Sequence, residues 1–417
     1  SRHPACANSP PGMVFSLTCA VQTYDWGIVG VSEVAGLGEA NTGVKSDDTK
    51  PHAELWMGTH PSGPSLVKET GVGLFETIAS DAKEFLGEVT LKRFGPDLPF
   101  LTKVLSVAKA LSIQAHPDKA LAKQLHAARP DVYKDGNHKP EMTLAITEFE
   151  ALCGFVDCQT LVENLQKVPE LREVTGQSAA SAFVAAVGTK GEGAALKDLF
   201  KAVMTASEEV VTSKIQNLVT RLTGARETNT EIDRLAIRLE RQYPGDVGVL
   251  CAYLLNYVVL QPGQCIYLAA NEPHAYLKGE CVECMATSDN VVRAGLTPKL
   301  RDTEILCDML TYKTGASVVL DGEVVTCESS RKSVVKQYHV PFDEFQLETY
   351  VVPSGETCAV ETSRGPCVLL VTKGKGDING EQIQRGAVVF AKAGEEIVLH
   401  ATEDVFAYRA MINKRVF

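Results

Sequence analysis

Strand-like patterning in this chain stops near Cys158, gives way to amphipathic helix, and starts again near Gln264; that interruption constrains the fold more than any other feature. Between Cys158 and about Tyr243 the apolar residues Leu161, Leu165 and Val168, then Ile215, Leu218 and Leu222, then Leu235 and Leu239 fall three and four positions apart. Each such set lines one face of a helix. On both sides the pattern is one of short strand-like runs bounded by turn residues. A block of helices is therefore expected as an insertion in a β protein. Its loop Gly188-Thr189-Lys190-Gly191-Glu192-Gly193 is glycine-rich, but no strand precedes it and no Lys-Ser/Thr closes it, so a phosphate loop is not expected.

A chain of 417 residues is too long for one core, and 45% hydrophobic with 22% charged residues marks a globular protein. The net charge of −11 argues against a general nucleic-acid binder, and an anionic substrate would need a local basic pocket. Twelve cysteines scattered singly read as reduced thiols rather than a disulfide framework. Val247 to Leu260 is broken by Tyr253 and Asn256 and falls short of the about 18 apolar residues of a membrane span. Residues 1–12, with Pro4, Pro10 and Pro11, lack the apolar core of a signal peptide and read as a loose extension. A cytoplasmic monomer with neither a nucleic-acid nor a membrane partner is expected.

Three possible metal ligands lie close together between Leu111 and Glu141. Ser112, Gln114 and His116 share one face of a short strand, which Pro117 and Asp118 stop. Helical spacing follows from Lys119 to Arg129, then a turn at Tyr133 to Gly136, and Glu141 opens the strand-like Met142 to Ile146. An imidazole, a carboxylate and an amide oxygen make a partial shell for a divalent ion such as zinc, which needs about four ligands. The ordinary alternative is a hydrogen-bonded Gln-x-His pair and a surface carboxylate. Where strands resume, His274 is placed to complete the shell, and Pro273 with Gly279 suits a hairpin that fixes it. Cys281-x-x-Cys284 has no second pair, and on a strand its thiols face opposite ways. Arg293 and Lys299 fall in a stretch too polar for core and suit a phosphate-bearing substrate, or are solvated charges. His60 is a further possible ligand, and Trp26 and Trp56 are core or sugar-stacking platforms.

From Tyr312 onward the chain reads as β, with a hairpin turn at Asn379-Gly380 and no repeat of the metal-site residues. A second, metal-free jelly-roll barrel is expected there.

The stretches YKDGNHKPE (Tyr133 to Glu141) and HAYLKGECVECMATSDNVVRAGLTPK (His274 to Lys299) closely resemble the two signatures of type I mannose-6-phosphate isomerases. Similar too are Tyr24-Asp25-Trp26-Gly27, Glu54-Leu55-Trp56-Met57-Gly58 and the QAHPDK run from Gln114, so the resemblance spans nearly the whole chain. It implies a mainly β fold of two cupin-type jelly-roll barrels with an inserted helical domain. The segments would be 1–13 (extension), 14–157 with 246–311 (catalytic barrel), 158–245 (insertion) and 312–417 (second barrel). It implies one zinc ion on Gln114, His116, Glu141 and His274, and an active-site arginine at Arg293.

The implied reaction interconverts mannose 6-phosphate and fructose 6-phosphate through a zinc-stabilised cis-enediolate. Arg293, always protonated, suits charge stabilisation rather than proton transfer. Lys139 is the first candidate for proton carrier, with Glu283 or Asp289 behind it, and Ser112 and Lys299 are candidates for the phosphate. Two other classes stay open. A cupin binding protein would hold the ligand without turnover, and an iron oxygenase also uses two histidines and a carboxylate.

Overall fold

The computed structural model describes residues 14–327 and 329–417; the extension expected over 1–13 lies outside the described residues. Two large antiparallel sheets dominate. The first has ten strands, and its spine is the 13-residue strand His274–Ala286. The early part of this strand pairs with Phe149–Phe155, and from Gly279 onward it lies between Phe100–Val107 and Glu141–Ala145. Glu54–Met57 extends the sheet beyond Phe100–Val107, and Ile113–Ala115 joins at His274.

The hairpin expected near Pro273 and Gly279 is not formed, because the chain continues straight through as one strand. Gly279 serves a different need: its φ is 110°, and a Cβ there would meet the Glu148 carbonyl oxygen at 2.3 Å. Cys281 and Cys284 are both buried on this strand, facing different cores.

The second sheet has eight strands and packs on a four-stranded sheet, with Tyr350, Val352, Leu369, Ile397 and Leu399 between them. Asn379 and Gly380 both have positive φ in the turn between Lys375–Ile378 and Glu381–Gln384, which is what a two-residue hairpin needs. The eight-stranded sheet is not made of C-terminal residues alone. Val14–Thr18 pairs with Val388–Ala391, and Leu66–Val67 adds beyond it.

The expectation of a mainly β chain needs correction, since helix and strand take nearly equal shares of the described residues. Six α-helices from Cys158–Lys167 to Glu231–Gln242 form the interrupting block, burying Leu161, Leu165, Leu218, Leu222, Leu235 and Leu239 as their spacing predicts. Asp157, Ser207 and Thr230 cap three of these helices, Thr230 in a reciprocal box with Asp233. Three short helices between Leu74 and Phe94, each broken by Asp81 or a glycine, add to the total. No helix among the described residues is long and apolar enough to cross a membrane.

Inside the C-terminal sheet pair lies a fully buried ion pair. Arg409 Nη1 is 3.3 Å from Glu348 Oε2 and donates to the Glu361 carbonyl at 2.8 Å, while Lys414 Nζ stands 3.0 Å from Glu348 Oε1. Burial pushes the Glu348 carboxyl up, but Arg409 and Lys414 outweigh it and hold it below its ordinary value of 4.5. A depressed carboxyl stabilises the fold fully above that value, and the contribution is lost as pH falls through the folded pKa. Glu348→Ala should therefore cost about 3–5 kcal/mol in urea unfolding at neutral pH by stranding the Arg409 charge. Replacing both residues with Leu and Met should recover most of that loss.

Candidate metal centre

Three strand ends meet in one buried space. His116 follows Ile113–Ala115, Glu141 opens Glu141–Ala145, and His274 opens His274–Ala286. Each is 1% exposed, so water does not solvate them. One ligand atom from each lies within 4.8 Å of the others.

The hydrogen bonds fix which nitrogens are free. His116 Nδ1 is 2.7 Å from the Asn290 carbonyl and His274 Nδ1 is 3.0 Å from the Glu272 carbonyl. A carbonyl only accepts, so each Nδ1 carries the proton and each Nε2 keeps a bare lone pair. Neither Nε2 has a hydrogen-bond partner, yet they stand 3.2 and 3.5 Å from the Glu141 oxygens. Three acceptors facing one another call for a cation among them, and two imidazoles with a carboxylate suit a borderline divalent ion. Burial drives the His116 imidazolium pKa down to about 4 against the opposing pull of Glu141, which keeps the ring neutral and able to ligate at physiological pH. Burial pushes Glu141 up, but Lys139 and His116 hold it well below the carboxylate range.

The other expected residues take different places. Gln114 is half-buried, directly across from His274 on one neighbouring strand and Arg293 on the other, and accepts from Ser112 Oγ at 3.5 Å. Lys139 Nζ is 3.0 Å from Glu141 Oε1. Arg293 is partly buried, which lowers its pKa, and it makes no ion pair among the described residues. Lys299 lies exposed beyond Val292–Gly295. His60 is not in the cluster: its Nε2 is 3.2 Å from Asp289 Oδ1 and its ring meets Trp56 edge-on.

Several residues escape a reading of the sequence. Lys103 is buried in the strand Phe100–Val107, 3.3 Å from Glu54, 3.4 Å from Glu283 and over the Trp56 ring at 4.7 Å. Trp56 is core, as one of its two readings has it, buried with Leu101 and Met285, and its ring also packs against a cation. Burial opposes the Lys103 charge, but Glu54, Glu283 and Glu141 outweigh it and hold the amine protonated. Burial and the Glu141 charge raise Glu283 to about 7, although Lys103 pulls the other way. Glu283 is already a candidate proton carrier in the sequence, and a lysine inside the mostly apolar run FLTKVLSV is the remaining local signal for this network.

A second set latches the two signature-like stretches together. Asp135 accepts from Ser288 Oγ at 2.9 Å and from the Asp289 backbone N–H at 2.9 Å. Asn290 Nδ2 donates to the Asp135 carbonyl at 2.7 Å and to the Asn137 carbonyl at 3.0 Å. The Asn290 carbonyl in turn orients His116. Glu141 has its own support, because Thr143 Oγ1 donates to Tyr276 OH at 2.6 Å and Tyr276 OH donates to Glu141 Oε2 at 3.3 Å.

Fold and site together define a mixed α/β protein with a helical insertion and a buried two-histidine, one-carboxylate metal-type centre. Profiles described as phosphomannose isomerase type I, catalytic domain and helical insertion domain, match residues 14–158 and 173–255. Mannose-6-phosphate isomerase 1 of Arabidopsis thaliana is 44% identical over 412 residues, covering 96% of this chain and 94% of that protein. The Schizosaccharomyces pombe mannose-6-phosphate isomerase is 41% identical, with 95% and 99% covered. A crystal structure of a phosphomannose isomerase variant from Salmonella typhimurium is similar at a TM-score of 0.81 and 28% identity, with 96% and 99% covered. A mannose 6-phosphate isomerase bound with zinc and yttrium is similar at a TM-score of 0.81 and 28% identity, with 96% and 100% covered. The chain belongs to the type I phosphomannose isomerase family, a family of isomerases.

Because Tyr276 supports Glu141 without belonging to the three-residue cluster, Tyr276→Phe should weaken zinc binding by about 10–100-fold. Competition with a chromophoric chelator measures this, with circular dichroism confirming an intact fold.

Proposed function

We propose that this protein interconverts mannose 6-phosphate and fructose 6-phosphate, using one zinc ion held by Gln114, His116, Glu141 and His274. The observation that carries the proposal is the convergence of two bare Nε2 lone pairs on Glu141, in a chain 44% identical to a mannose-6-phosphate isomerase. Aldose–ketose exchange removes a proton from carbon 2 and returns one at carbon 1, through a cis-enediolate. When bound, zinc supplies Lewis acidity that offsets the charge on the two reacting oxygens.

The chain's own residues supply the rest. Arg293, a cation with no carboxylate to neutralise it among the described residues, stabilises the enediolate charge. Lys103, held protonated by its carboxylates, adds positive charge beside the site and does not accept a proton. The mobile proton is assigned to Lys139, beside Glu141. Glu283 stands behind it, and its value of about 7 suits proton transfer near neutral pH. Ser112, next to Gln114, and Lys299 are assigned to the phosphate. This reading keeps a division into a catalytic cupin-type barrel (14–157 with 246–311), a helical insertion (158–245) and a second barrel (312–417), with Val14–Thr18 and Leu66–Val67 lent to the second.

The assay is interconversion of the two sugar phosphates before chelation, after it, and after zinc is restored. Activity should vanish on chelation and return with zinc. No turnover with zinc demonstrably bound would leave a sugar-phosphate binding protein as the account.

Lys139→Met should lower kcat by about 10²–10⁴-fold with zinc retained. Near-normal turnover in that variant would move the proton path to Glu283.

A further inference from the structure

The C-terminal sheets hold a reactive pair that plays no part in the metal centre. Cys327 follows Glu323–Val325, and Cys358 lies in Thr357–Val360, 31 positions later. Their Sγ atoms are 2.9 Å apart, within about 1 Å of the bonded S–S separation of ~2.05 Å. Both are free thiols. Cys327 Sγ also lies 3.3 Å from Ser329 Oγ. Cys327 lines an open cavity of about 750 Å³ together with Gln337, Tyr350 and Thr362, which gives a small reagent a way in.

This thiol differs from the others. Burial alone would raise Cys327, but hydrogen bonding with Cys358 and Ser329 outweighs it and lowers its pKa. Burial raises Cys358, and the hydrogen bond it gives to Cys327 raises it further. A nucleophilic sulfur in contact with a protonated one is the arrangement of an attacking and a resolving thiol.

We propose that Cys327 and Cys358 form a thiol modification site that reacts with small disulfides of the glutathione type and closes to an intramolecular disulfide. The Cys327 thiolate attacks one sulfur of the small disulfide, forming a mixed disulfide and expelling one small thiolate. Cys358 gives its proton to that thiolate and attacks Cys327 Sγ. The second small thiolate leaves and takes from solvent the proton that Cys327 had released. Two protein thiols are oxidised and one small disulfide is reduced to two thiols. The new bond closes a loop around Val334–Tyr338 and Gln346–Val352, two strands of the eight-stranded sheet.

The test treats the full-length protein with oxidised glutathione, quenches by alkylation, and maps peptides without reduction. A peptide pair linked through Cys327 and Cys358 is expected, with a higher thermal midpoint that dithiothreitol reverses. Cys358→Ser should stop at one glutathione on Cys327, and Cys327→Ser should leave Cys358 unmodified. Recovery of both cysteines as alkylated free thiols from the unmutated protein overturns the proposal, and so does glutathione on Cys358 in Cys327→Ser. Should either variant fail to fold, the map of the unmutated protein decides alone.

Discussion

Two bare imidazole nitrogens and a carboxylate, buried face to face, repel one another unless positive charge sits among them. The structure around the site answers that constraint. Lys139 touches Glu141, and Lys103 stands further along the same sheet between Glu54 and Glu283. The site is a balance of buried acceptors and cations in which each member holds the others' protonation. Low dielectric makes such a balance strong when complete and unfavourable when a member is lost.

The balance has to be held in place by backbone, and here the sheet order matters. The spine strand His274–Ala286 carries one imidazole at its start and Glu283 near its end, and it pairs directly with the strands bearing Gln114, Glu141 and Lys103. The Asp135 turn, latched to Ser288 and Asn290, sets the remaining imidazole. The polar turns are thus structural parts of the centre, with Asp135 and Asn137 in one signature stretch and Ser288, Asp289 and Asn290 in the other.

The sequence makes His116, Glu141 and His274 legible as candidates because ligand chemistry and strand period are local properties. The helical block is legible for the same reason: its period of three and four survives without knowledge of partners. What depends on long-range pairing is not legible. Nothing local in Phe100–Val107 says that Lys103 meets two carboxylates from other strands, nor that Trp56 packs beneath it. Gly279 reads as a turn residue because glycine serves both turns and close backbone approach, and only the neighbouring Glu148 carbonyl distinguishes them. Phe75 to Phe94 also reads as a helix or two, and the three short helices between Leu74 and Phe94 bear that out.

The pairing of Val14–Thr18 with Val388–Ala391 carries a consequence for how the chain is made. During synthesis the first described strand emerges long before its partner, so its apolar side must wait while everything between them is made. Contacts this distant in sequence raise the contact order and slow the final step. The eight-stranded sheet cannot close until those distant strands are made, and a ribosome-bound chain lacking them holds an unpaired edge that a chaperone would have reason to cover.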